Sequence, residues 1–131
     1  MTSRLLQTCL ASVFLLLGGW CLLLPGMVEA LTLRPEFVTG SSAMKLVFAC
    51  FGAQAVLTGT ILLTARFSPL TFLIFGLVGS VPFFVFNAWF YFVTPILNGW
   101  MALDFIGNLV ILGTGVWGYL LRRRELQNGL T

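Results

Sequence analysis

From residue 67 to residue 103 the chain carries no formally charged side chain, and residues 5–28 and 46–65 carry none either. The stretch 100–121 is equally apolar, with Asp104 as its single formal charge. A helix needs about 20 apolar residues to cross the ~30 Å hydrocarbon core of a bilayer. Soluble domains typically carry about 25% charged residues. This chain has 8%, against 59% hydrophobic, and its mean hydropathy is +1.02. It lacks the polar groups to cover a surface in water, so hydrocarbon is the expected solvent for most of it.

The run 67–103 is too long for one span. Thr94-Pro95 and Asn98-Gly99 divide it, the first by disfavouring helix before proline and the second as a turn dipeptide. Pro25-Gly26 is a stop signal for the first helix. The chain therefore reads as all-α, an integral membrane four-helix bundle forming one transmembrane domain over 1–131. Helices are expected at about 5–24, 44–64, 70–93 and 99–121, with a polar loop at 25–43. Ser41 or Ser42 suits the N-cap of the second span, and Pro82 is expected to kink the third. Arg4, the apolar core after it and Val28-Glu29-Ala30 also fit a signal peptide, but that core exceeds the ~7–15 residues such peptides use.

At ~100° per residue, Asp104, Asn108, Ile111, Gly115 and Gly118 fall near one line on the fourth helix, and mostly bulky apolar residues fall opposite. Small and polar faces are what membrane helices turn toward one another, so this helix is expected to be the one the others pack around. Thr8, Ser12, Leu15 and Gly19 share a face of the first span, and Gly76, Ser80, Phe83, Asn87 and Tyr91 a face of the third. Ala55 and Gly59 form a small-xxx-small pair on the second. With both termini inside, Arg4, Arg66, Arg122, Arg123 and Arg124 lie on the cytoplasmic side and only Arg34 and Lys45 outside, so the expected topology is N-in, C-in. The expected location is a bacterial inner membrane.

The net charge of +3 does not indicate nucleic-acid binding, because the basic residues sit scattered or at helix ends with no aromatic-interleaved stripe. There is no histidine, which removes the commonest metal ligand and proton shuttle. Cys9, Cys21 and Cys50 form no CxxC pair and read as small hydrophobes. No phosphate loop, metal-ligand spacing or activated nucleophile is present, so the sequence points to no catalytic residue and no metal site, and it identifies no cofactor.

Asp104 is the sharpest candidate, roughly 7 Å inside the outer boundary. Asn87 is expected at similar depth, Asn108 one turn deeper, Gln54 nearer the midplane, and Arg34 and Lys45 above, reaching down by snorkelling. Three readings fit: an interhelical clasp, a proton or cation site, or a site for a polar ligand or lipid headgroup. The aromatic run 82–92, including Trp89 and Tyr91, reads as lipid contact and interfacial anchoring or as a stacking wall for a quinone, carotenoid or sterol-like molecule.

Three stretches carry a resemblance: LTLRPEF at 31–37, FGAQAVLTG at 51–59 and LDFIGN at 103–108. With the four spans, the chain resembles the DoxX-like group of small bacterial membrane proteins. Many of these have a charged residue in the second span, where this chain has Gln54. The resemblance implies a fold more than a reaction, and in some members a subunit linked to quinone-dependent redox complexes. The expected role is a non-enzymatic accessory subunit or a binder of a lipid-like or quinone-like molecule, in contact with membrane lipids and a protein partner or second copy. The alternatives are a small oligomeric ion-coupled transporter using Asp104, or a membrane subunit of a quinone-linked redox complex.

Overall fold

Three of the four long helices begin where a short hydroxyl side chain meets an apolar run. In the structure, a computed structural model that describes residues 2–129, Thr2 caps α1 (Ser3–Leu23) by accepting from the Leu5 amide at 3.2 Å. Ser41 caps α3 (Ser42–Thr64) through the Met44 amide at 3.2 Å, and Ser68 caps α4 (Pro69–Ala88) through Thr71 at 3.1 Å. These oxygens satisfy first-turn amides that have no partner within the helix. A single π turn, Trp89–Val93, extends α4, and α5 runs from Met101 to Gln127. Among the described residues, four helices are long and apolar enough to cross a membrane, and no strand interrupts them.

The exterior is greasy, and polar side chains share the interior with the apolar ones. Leu23 and Phe92 are each 77% exposed, while Gln7, Ser80, Asn87, Asn108 and Thr114 are buried. So many large apolar side chains outside, with polar ones within, depart from the pattern of a soluble domain and suit a chain whose outer solvent is lipid. The protein is an all-α membrane bundle.

Pairing of the helices departs from the expectation that the fourth span is the hub. α1 packs chiefly on α3, and α5 chiefly on α4. The reason lies in the glycines. A Cβ placed on Gly18 of α1 would lie 2.8 Å from both the Ala55 Cβ and the Val56 amide nitrogen of α3. One on Gly76 of α4 would lie 2.8 Å from the Cα of Gly115 on α5. Each seam brings two backbones together, which only small residues permit, and the result is two hairpins. The polar and small face read on the last span is real, but it serves chiefly α4.

Near the face that carries both termini, the hairpins meet through Leu10, Ala11, Leu62, Phe67 and Phe72. Phe67 stacks edge-on against Phe72 at 5.2 Å, and Phe14 against Phe75 at 5.7 Å. The opposite face is tied by backbone. Leu33 and Leu97 form an antiparallel bridge, with the Arg34 amide donating to Ile96 at 2.9 Å and the Asn98 amide to Thr32 at 3.0 Å. The Asn98 side chain also donates to the carbonyls of Leu31 (2.7 Å) and Leu33 (2.9 Å).

Two segments differ from their expected form. The stretch 25–43 is not a plain loop: Pro25 opens a helix, α2 (Pro25–Thr32), and a 3-10 turn follows at Pro35–Phe37. Proline at the first helical position forfeits only an amide that has no partner there, so Pro25 ends one helix and starts the next. The last helix does not stop at 121. It continues to Gln127, and its Glu125 accepts from the amide (2.7 Å) and hydroxyl (2.5 Å) of Ser3 at the start of α1.

Candidate functional site

Asn87 lies in the last turn of α4 and Asp104 in the first turn of α5, where unpartnered amides favour a negative side chain. The Asn87 amide donates to Asp104 Oδ2 at 2.7 Å, and Asn108, one turn along α5, donates to the same oxygen at 2.9 Å. Both asparagines are buried, whereas Asp104 is exposed. Its other oxygen, Oδ1, takes no hydrogen bond from the described residues. The triad thus holds one carboxylate oxygen between two amides and leaves the second, on an exposed residue, without a partner among the described residues. Cys21, near the end of α1, lies within reach of the Asp104 charge.

Four other residues named from the sequence stand elsewhere. Arg34 donates through Nε to the Leu97 carbonyl at 3.1 Å, bracing the backbone bridge rather than reaching Asp104. Lys45 lies along Gly26 and acts on Glu29. Trp89 and Tyr91 sit on the π turn; Trp89 is exposed, and Tyr91 packs edge-on against Phe92 at 5.0 Å. π turns recur at functional sites, but neither ring touches the triad through a polar bond.

Gln54 belongs to a separate feature. Between α3 and α4 the hairpins part, leaving an open cleft of about 400 Å³ walled by Phe14, Phe51, Phe75 and Phe83, with Gln54 and Thr58 on one side and Val78 and Gly79 on the other. Thr58 donates to the Gln54 carbonyl at 2.8 Å, and the Gln54 side chain makes no hydrogen bond among the described residues. Pro82 has no amide proton, so the Val78 carbonyl on the cleft wall lacks its i+4 donor. The volume falls within the ~300–1,000 Å³ range of small-molecule sites, which pair apolar walls with a few placed polar groups.

The chain matches no protein-family model, no curated protein and no solved structure.

One residue escaped the sequence reading. Glu29, assigned to the polar loop, is fully buried on α2. Its Oε1 accepts from the amides of Thr39 (2.8 Å) and Gly40 (3.1 Å) and from the Thr39 hydroxyl (3.1 Å). Burial pushes this carboxyl up, but those donors and the Lys45 charge outweigh it and hold it below the usual carboxylate range. Oε2 is buried without a partner. The available clue was the spacing of Pro25, Val28, Glu29 and Thr32, one face of a short helix. Among the described residues, no three His, Cys, Asp or Glu side chains converge, and all three cysteines are free.

Proposed function

We infer that this membrane protein binds a lipid-like or quinone-like molecule without transforming it, on its own or as an accessory subunit of the kind the DoxX-like resemblance implies. The observation that carries this reading is the α3–α4 cleft. It is open sideways to lipid, lined by four phenyl rings, and supplied with a Gln54 amide that offers both a donor and an acceptor. A flat or chain-like apolar molecule gains from the rings, and a carbonyl or hydroxyl on it gains from Gln54. Phe83 of the cleft lies one turn of α4 below Asn87, roughly 6 Å along the axis. A polar head extending that way approaches the Asp104 oxygen that has no partner among the described residues.

The test is mass spectrometry of gently extracted protein. The native chain should carry a hydrophobic molecule in near-stoichiometric amount, and Gln54→Leu should lose it while keeping its helicity. Recovery of neither a bound molecule nor a partner chain overturns the reading. An ion-coupled role for Asp104 is the second reading, favoured by that same unpartnered oxygen on an exposed residue. Unchanged pH-dependent ligand binding or transport in Asp104→Asn excludes it.

A further inference from the structure

A second cleft, about 380 Å³, opens between α1 and α5 in the half of the bundle nearer both termini. Leu6, Leu10 and Val13 wall it from α1, and Val110, Gly113 and Trp117 from α5. It shares no residue with the α3–α4 cleft. α5 continues past it without a break to Gln127. At ~100° per residue, Arg124 falls within about 40° of Val110, Gly113 and Trp117, while Arg122 and Arg123 fall more than about 100° from the middle of that face.

The three arginines also differ in what they already hold. Arg122 pairs with Glu125 at 3.2 Å, and Arg123 donates to the Tyr119 hydroxyl at 3.3 Å. Arg124 is exposed and makes no side-chain hydrogen bond or ion pair among the described residues. Glu125, the neighbouring acid, is taken up by Ser3 and Arg122. Seven residues separate Trp117 from Arg124, about 10 Å of helix. That is comparable to the ~5–8 Å interfacial layer on each side of the hydrocarbon core.

We propose that the α1–α5 cleft, together with Arg124, binds an anionic phospholipid, with an acyl chain along the cleft and the phosphate on the guanidinium. An apolar slot running toward the one arginine of α5 that no acceptor among the described residues takes up has the complementary charge and shape. The site stands independently of the α3–α4 reading, because its walls and its charge are different residues.

Native mass spectrometry of the purified full chain tests it, using dioleoyl phosphatidylglycerol and dioleoyl phosphatidylcholine as probes with identical tails. A basic side chain at an anionic surface accounts for a preference of about fivefold for phosphatidylglycerol. Arg124→Gln should abolish that preference and Arg123→Gln should keep it, with far-UV circular dichroism showing equal helicity. Nothing lies within 4 Å of a Cβ built at Gly113, so Gly113→Leu has open space at its Cβ from which to occupy the slot and should weaken both lipids. Equal binding of the two lipids by the native chain, equal losses in Arg123→Gln and Arg124→Gln, or undiminished binding by Gly113→Leu would each overturn the proposal.

Discussion

Asn87 donates its side-chain amide to Asp104 across the α4–α5 seam at 2.7 Å, and so joins the end of one span to the beginning of the next. Asn108 donates to the same carboxylate oxygen. In lipid, the alternative to such a bond is a polar group that finds another partner within the membrane, which limits its net value. Interhelical hydrogen bonds measured by double-mutant cycles average about 0.6 kcal/mol and reach about 1.7. A cycle on Asn87→Ala and Asp104→Ala, followed by unfolding in mixed micelles, should give a coupling in that range. Asp104→Asn keeps an acceptor oxygen and should lose less than Asp104→Ala. A coupling indistinguishable from zero would remove the triad from the forces holding the seam.

Two glycines two positions apart on α5 should respond in opposite ways to the same change. A Cβ on Gly115 would stand 2.5 Å from Gly76 Cα and 2.8 Å from the Phe72 carbonyl, both backbone, whereas one on Gly113 meets nothing within 4 Å. Gly115→Ala is expected to cost about 1–3 kcal/mol by overpacking. Gly113→Ala should be neutral or stabilise by up to about 1 kcal/mol through helix propensity. Unfolding midpoints decide it, and spin-label distances between α4 and α5 should lengthen only in Gly115→Ala.

These contrasts show where the sequence was readable. Span number follows from charge-free run lengths, and the meeting of Asn87, Asp104 and Asn108 follows from helical spacing combined with depth, both one-dimensional properties. Partner choice is not one-dimensional. Every span has a face of small residues, and whether Gly18 faces Gly52 or Gly76 depends on backbone approach across the bundle. Polarity and depth alone group Gln54 with Asp104, yet the parting of the hairpins turns it into the α3–α4 cleft. Lys45 and Arg34 were placed above Asp104 by depth alone, while α2, hidden in a stretch read as loop, gave Lys45 a nearer carboxylate in Glu29 and the backbone bridge claimed Arg34.

The α1–α3 hairpin is closed at the face bearing the termini by side chains on helix carbonyls. Gln7 donates to the Leu62 and Ala65 carbonyls at 2.5 and 2.9 Å, and Arg4 to those of Leu63 and Ala65. These carbonyls end α3, where no further amide is available and a cation is favoured. Gln7→Leu removes a buried donor from two acceptors and should cost about 1–3 kcal/mol. Arg4→Gln acts at an exposed site and should cost about 0.3–1 kcal/mol, less in high salt. Unfolding midpoints at low and high ionic strength separate the two, and an Arg4→Gln effect independent of salt would contradict the charge argument.

Glu29 gives the stability a defined pH dependence. Burial alone would raise its carboxyl, but the Thr39 and Gly40 amides, the Thr39 hydroxyl and Lys45 together hold it below its ordinary value. A group depressed on folding stabilises fully above its unfolded pKa, about 4.3 for glutamate. That contribution fades as pH falls through the lower, folded value. Glu29→Gln keeps one acceptor for the Thr39 turn but sets an amide where Oε2 now lies, buried and unpartnered. The native chain should therefore be more stable than Glu29→Gln at neutral pH, with the gap narrowing below about pH 4. Taking the difference between the two proteins cancels every carboxylate they share. A gap that stays constant from neutral pH down to about pH 3 would mean that the charge on Glu29 contributes nothing to holding α2 against the 39–40 turn.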